Sequence, residues 1–285
     1  MEATRRGGSD DASTLRGACA SVTALISYLR CEVGARDSYV TGQRVVEAGG
    51  WIRCGELIDD VDSLSAVIRS TGEQLGTDDQ MVAASLFVQN YAYRVLTLAV
   101  ACATVAGVVP NARAQSMAFT LSSGRPATFA YTDPSLLVLW EEPGGAAAAF
   151  GRDTTVAAFL EYLIKTGIDE HVAPIVTATH GRFRIGERLL WGNVAASAAV
   201  AFRTMEGVLG PWVQRLGEAF FDAAPQSLQG LGSFLALENG DRRGWYWERL
   251  NCCLHDRLPS RLRCGDCSRT PIEERRAAYR ASLEP

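Results

Sequence analysis

Between Gln80 and Ala106 the chain is apolar on nearly every side of a helical projection, and this most restricts what it can fold into. A helix without a polar face has to be enclosed by other elements. Thr77-Asp78-Asp79 supplies its cap, and Gly107 and Pro110 end it. The longest uncharged apolar run, Val95 to Val109, is fifteen residues and too short to cross a bilayer. The expectation is therefore a central core helix, with no transmembrane segment.

The rest of the chain reads as elements arranged around that helix. Apolar residues at Leu15, Cys19, Val22, Leu25, Ile26 and Leu29 predict a helix from Ala12 to about Arg30. Asp62 to Leu75 predicts another, closed by Gly76. Trp51-Ile-Arg-Cys54 begins a short element. Ser116–Leu121 and Ala127–Thr132 read as strands joined at Ser122-Ser-Gly-Arg125, with Leu136–Trp140 a third. Pro143 to Gly151 reads as a flexible connector; no Gly-Lys-Ser/Thr follows, so it is no phosphate loop. Helices are expected over Thr154–Thr166, Asp169–Thr179, Gly186–Gly207 and Pro211–Asp222. Leu231–Leu237 and Gly244–Arg249 read as a hairpin across Glu238-Asn239-Gly240-Asp241, leading directly into Cys252. The fold class is a mostly helical α+β protein with small antiparallel hairpins. Its divisions are a disordered lead-in over 1–11, a body over 12–240 and a metal-bound segment over 241–285.

Four of the eight cysteines fall in Cys252-Cys253-Leu-His-Asp-Arg-Leu-Pro-Ser-Arg-Leu-Arg-Cys264-Gly-Asp-Cys267, a C-C-x10-C-x2-C loop. Thiols this dense pair, bind metal or do redox chemistry. Adjacent cysteines are poor disulfide formers, and no C-x-x-C lies beside a βαβ pattern. Four thiolates suit tetrahedral zinc or a [2Fe–2S] cluster, and spacing does not separate the two. Cys264-Gly-Asp-Cys267 is a conventional knuckle, with Gly265 allowing the turn. The adjacent pair is awkward around a single small ion. Cys19, Cys31, Cys54 and Cys102 lie among apolar residues and read as buried free thiols.

Cys252-Cys253, Arg257-Leu258-Pro259 and Cys264-Gly265-Asp266-Cys267 resemble the C-terminal signature of the FhuF family of ferric-siderophore reductases. Arg249 fits the basic residues that precede it there. Leu250 and His255-Asp256 depart from what that family commonly carries. Val82-Ala-Ala-Ser-Leu86 and Leu190-Trp-Gly-Asn-Val194 are weaker points of likeness. The resemblance implies that Cys252, Cys253, Cys264 and Cys267 hold a [2Fe–2S] cluster. It further implies that the substrate is a ferric siderophore, of hydroxamate class, and that the electron comes from a ferredoxin or flavoprotein. No dinucleotide fingerprint is present: Gly230-Leu-Gly232 lacks its third glycine and following helix.

Charge refines this picture. The chain is −4 overall, yet residues 241–285 hold ten arginines against seven acidic residues, a balance of +3 that leaves −7 for the rest. An acidic body argues against nucleic acid as a partner. Near the cysteines, Arg249 and Arg257 are expected to tune a cluster whose negative charge grows on reduction, unless they pair with Glu248 and Asp256. Arg275, Arg276 and Arg280 read as a solvated helix face. Arg184, Arg188, Trp191 and Asn193, with Arg182 nearby, could line a siderophore pocket, or equally form a charged helix start beside a core tryptophan. His171 and His180 read as surface or helix-end histidines, and His255 as a neighbour of the cysteines rather than a ligand. No apolar signal core precedes the first helix, and a cytoplasmic setting is expected. A ferric-siderophore reductase leads; an iron–sulfur redox sensor and a zinc-stapled interaction module are the alternatives.

Overall fold

The computed structural model describes residues 4–6, 9–47, 49–139 and 146–283. In chain order the elements are β1 Thr4–Arg6, α1 Ser9–Leu25, β2 Arg30–Val33, β3 Trp51–Arg53, α2 Glu56–Asp59, α3 Val61–Leu75, α4 Gln80–Ala106, β4 Val108–Pro110, β5 Met117–Ser122, β6 Arg125–Tyr131 and β7 Leu136–Val138. Then follow α5 Ala146–Ala149, α6 Asp153–Leu163, α7 Ala173–Phe183, α8 Glu187–Leu209, α9 Trp212–Ala223, β8 Gly232–Asn239, β9 Arg242–Arg249 and α10 Ile272–Ala281.

The core forms around α4, as its composition requires. Asp79 caps it by accepting from the N–H groups of Met81 and Val82, and Gly107 ends it in the left-handed region. Helices α8, α3 and α1 pack along it. By length and composition α4 could cross a membrane, but 72% of its most apolar window is buried inside the fold. A stripe from Leu15 through Cys19 and Val22 to Ile26 buries α1 against it. Leu25, expected on that stripe, is 51% exposed. At 100° per residue it lies about 80° round from Leu15, off the buried edge.

Strands flank the helices in two small sheets and a hairpin. One sheet runs β2-β6-β5-β3 and the other β1-β7-β4. The expected β5–β6 hairpin is present, turning at Ser123 and Gly124, both of positive φ. A Cβ on Gly124 would sit 2.4 Å from the Ser70 carbonyl oxygen, so the turn lies tightly on α3. Not every pairing is a hairpin: β2 joins β6 in parallel, and β7 pairs with β4 and β1 rather than extending β5–β6. Thr4–Arg6 thus form a strand within the stretch expected to be a disordered lead-in, because β7 offers them an open edge. Residues 1–3 and 7–8 of that lead-in, and 143–145 of the expected connector, lie outside the described residues; Ala146–Ala149 of the connector is a short helix.

At α1 and α6 the structure corrects two expectations. Cys19 and Cys31 are not free thiols but a disulfide, 12 residues apart, because β2 turns back alongside α1 and brings their Cα atoms to 5.4 Å. Cys54 and Cys102 are buried free thiols, both pushed up to about 12 by burial. The two helices expected at 154–166 and 169–179 are one continuous rod, since α6 passes through a π-helical stretch, Ile164–Val172, into α7. The wider π turn accommodates Pro174 without breaking the helix.

That stretch also takes His171 away from the surface position expected of it. Fully buried, its Nδ1 donates to the Ala112 carbonyl at 2.6 Å, which leaves Nε2 to accept from the Tyr91 hydroxyl at 2.6 Å. Burial pushes its pKa down to about 4, so the ring is neutral at pH 7. The unfolded chain, near 6.5, takes up the proton first as pH falls. Stability is therefore expected to decline from about pH 6.5 to about pH 4, by ~3 kcal/mol in all. Denaturation of the parent and His171→Gln across that range checks this; an identical acid slope in both would refute it.

Candidate metal centre

The hairpin β8–β9 sets the cysteine loop in place. Its two-residue turn at Gly240-Asp241 pairs Asn239 with Arg242, and its aromatic face packs on α9: Phe234 stacks on Trp245 at 3.7 Å and Phe221 on Trp247 at 4.5 Å. The pairing straddles the 240/241 boundary, and Trp245 and Trp247 belong to the main core. Only glycine fits at 232, because a Cβ there would lie 2.4 Å from the Trp247 ring.

β9 ends on Arg249, which is 1% exposed and directs its guanidinium into the protein. Its Nη2 donates to Asn193 Oδ1 at 2.7 Å and its Nε to the Asn251 carbonyl at 2.8 Å. Asn193, on α8, donates to the carbonyl and hydroxyl oxygens of Ser85 on α4, at 2.9 and 2.8 Å. Ser85 in turn donates to the Cys253 carbonyl at 2.7 Å. This buried relay fastens the cysteine loop to both core helices. Close approach is possible because residue 192 is glycine: a Cβ there would meet Asn251 Cβ at 2.5 Å. Arg275, expected on a solvated face, is 5% exposed and donates to the Arg249 carbonyl at 3.2 Å. Burying the hairpin's last residues against α10 removes its side chain from solvent.

Within the loop, Cys253 and Cys267 are buried while Cys252 and Cys264 are partly exposed. The sulfurs of Cys253 and Cys264 are 3.6 Å apart. Two thiolates at about 2.3 Å from one tetrahedral metal would be ~3.8 Å apart, so this pair needs little adjustment to share an ion. Cys252 Sγ accepts the Leu254 N–H at 3.3 Å. The Cys264 contact, aided by the Arg249 charge, holds the Cys253 thiol below its usual range, while the same contact raises that of Cys264. Among the described residues no cluster of three or more His, Cys, Asp and Glu is already closed around a metal position. The donor set nonetheless fits a thiolate-bound cationic centre. Arg249 Nη1 is buried with no hydrogen-bond partner, 3.8 Å from an Asp266 oxygen, and faces the loop's negative charge.

The other sequence-predicted residues are dispersed. Arg257 lies 3.9 Å from Asp79 at the start of α4, and is half exposed. The partners expected for the two arginines are taken: Glu248 by Arg276, Asp256 by Arg269. His180 Nδ1 donates to the Ile185 carbonyl at the end of α7, and His255 Nδ1 to Leu262. Arg184 is exposed, Arg188 binds the Gly230 carbonyl, and Trp191 donates to Glu187. Asn193 is spent on the relay, so these four residues do not converge on one concavity. Beside the cysteine loop there is instead a cavity of about 330 Å³, walled by α3, α4, α8, the β5–β6 turn and the loop's own His255 and Asp266. Periodicity could not have located it, since its walls come from five separate segments. Ser85 and Asn193 did leave a signal, each a polar side chain within an apolar helix face.

Residues 85–235 match the family model described as ferric iron reductase FhuF-like transporter. That match spans more than half of the chain, and the protein belongs to this FhuF-like family. It begins at Ser85, includes Asn193 and ends before the cysteine loop. No curated protein matches the sequence. Two solved structures of the aerobactin synthetase IucA from a hypervirulent pathotype of Klebsiella pneumoniae are similar at 14% identity. The ATP-bound one has a TM-score of 0.49, over 72% of this chain and 42% of that one. The other has 0.48, over 86% and 51%. The chain thus spans about half the length of these structures, or less.

Proposed function

We infer that the chain is a ferric-siderophore reductase. In this reading Cys252, Cys253, Cys264 and Cys267 hold a [2Fe–2S] cluster, which when bound supplies one-electron redox chemistry. The observation that carries it is the coupling of a four-cysteine loop, through Ser85 and Asn193, to the helices that bear the family match. Arg249 stabilises the additional negative charge that reduction places beside it, because its guanidinium is buried and points inward. The relay fixes the Cys253 backbone, so the loop keeps its position as its charge changes. The overall change is Fe(III) plus one electron to Fe(II) within the chelate. Hard oxygen chelators hold the ferrous ion weakly, so reduction releases it. No dinucleotide fold is present among the described residues, and in this reading the electron comes from a separate ferredoxin or flavoprotein, in a cytoplasmic setting.

Anaerobic mixing of dithionite-reduced holoprotein with ferric siderophores tests the reading. Reoxidation of the protein is expected, with Fe(II) appearing in a ferrous trap in one-electron stoichiometry. Protein that stays reduced for hours beside every ferric chelate tried would leave a redox sensor in place of a reductase.

A further inference from the structure

The β5–β6 turn walls the cavity beside the cysteine loop on one side. Arg125 and Pro126 also wall a second concavity of about 520 Å³, which continues towards Arg30 and Arg94. Taken as one groove across these shared walls, the two spaces have His255 and Asp266 at one end and Arg30 and Arg94 at the other, with Tyr93 lining the first. Together the two spaces fall in the range of small-molecule sites.

The charge along this groove is one-sided. Arg30, Arg94 and Arg125 line it, and none has a carboxylate partner among the described residues. Asp266 is the one carboxylate among the lining residues, and it faces Arg249. Arg94 has two carbonyl partners, Tyr28 and Ala127, but its buried Nε has none. Burial lowers the pKa of that guanidinium, an effect opposed by Tyr93 and Tyr28 and reinforced by Arg125 nearby. A bound anion would counter both the burial and Arg125. Nearer the cysteines, the buried side-chain oxygens of Gln89 and Asn90 also lack partners, leaving polar groups available to a ligand.

We propose that this groove binds ferric chelates carrying net negative charge, with Arg30, Arg94 and Arg125 as the recognising groups, and so presents them to the cysteine loop. The proposal rests on the reductase reading for its consequence, though not for its binding test. It departs from the hydroxamate class expected from the sequence. Three singly charged hydroxamates neutralise a ferric ion, whereas doubly charged catecholates, or surplus carboxylates, leave the complex negative. The stacked pair Tyr28 and Tyr93, hydroxyls 2.6 Å apart, adds an aromatic wall beside the arginines.

Gallium(III) chelates keep this charge and shape but cannot be reduced, so binding is read apart from electron transfer. Holoprotein is titrated with a gallium tricatecholate, a gallium complex bearing free carboxylates, and an uncharged gallium trihydroxamate. The first two should bind at least tenfold more tightly than the third, with the ranking between them showing whether catechol or carboxylate is preferred. Arg30→Gln and Arg125→Gln, both at exposed positions, should each weaken the anionic complexes about fivefold and the neutral one hardly at all. Arg30→Lys and Arg125→Lys should restore most of the loss. Neutral binding as tight as anionic, or anionic binding indifferent to both arginines, overturns the proposal. Arginine-dependent binding of gallium anions by a protein that never transfers an electron to their ferric counterparts would uphold the groove and refute the reductase.

Discussion

Serine at Cys252, Cys253, Cys264 or Cys267 should weaken or abolish the visible absorbance of the protein, which purified anaerobically is expected to be brown, with two irons and two sulfides per chain. Cys253 and Cys264 should be the least tolerant, because their sulfurs are already 3.6 Å apart and Cys253 is anchored through its carbonyl to Ser85. Loss of the centre should also loosen residues 252–267. That segment has almost no regular structure, a single 3-10 turn at His255–Arg257, and on the cluster reading a bound metal would supply its local order. Metal and sulfide analysis with electron paramagnetic resonance measures the first effect, and limited proteolysis the second. Colourless protein with one tightly held zinc would reject the cluster and favour a zinc-stapled module.

A second large effect is expected from the relay beneath the loop. Arg249→Ala removes two charge-assisted hydrogen bonds and strands Asn193 Oδ1 in the core, at a cost of about 3–5 kcal/mol. Asn193→Ala strands Arg249 Nη2 and Ser85 instead, and should cost about as much. Since both variants break one network, the double variant should lose clearly less than the sum. Arg249→Ala holoprotein should in addition have a lower midpoint potential, as the buried positive charge beside the loop is gone. Denaturant unfolding of the four species checks the coupling; strictly additive losses would show that the residues act independently. Arg257→Ala is the contrast, its exposed 3.9 Å pairing with Asp79 contributing at most about 1 kcal/mol.

What could be read in the sequence, and what could not, depends on how locally each feature is determined. The ends of α4 were legible because a capping aspartate and a left-handed glycine decide them within a few residues. The β8–β9 hairpin is legible from Glu238-Asn239-Gly240-Asp241, and with it the delivery of the chain into Cys252. The cysteine spacing and the family resemblance needed no tertiary information. Sequence proximity groups Arg184, Arg188, Trp191 and Asn193, but Arg188 and Asn193 are five residues apart on one helix. That places them about 140° apart, one towards solvent and the other towards α4. His171 and Arg275 read as surface residues by type, yet both are buried, because distant carbonyls, of Ala112 and Arg249, accept their hydrogen bonds. The Cys19–Cys31 bridge depended on the turn after α1, and the basic groove on strands and helices far apart in sequence.

The relay also orders events during synthesis. Ser85 and Asn193 leave the ribosome well before Cys252, and N-terminal parts of a chain generally fold first. The helical platform can therefore be complete while the cysteine loop is still being made. On the cluster reading, metal loading is then the closing stage of biogenesis, performed on a finished seat. A cell short of iron or sulfide would accumulate a folded apoprotein with one open loop, ready to be charged without a new round of translation.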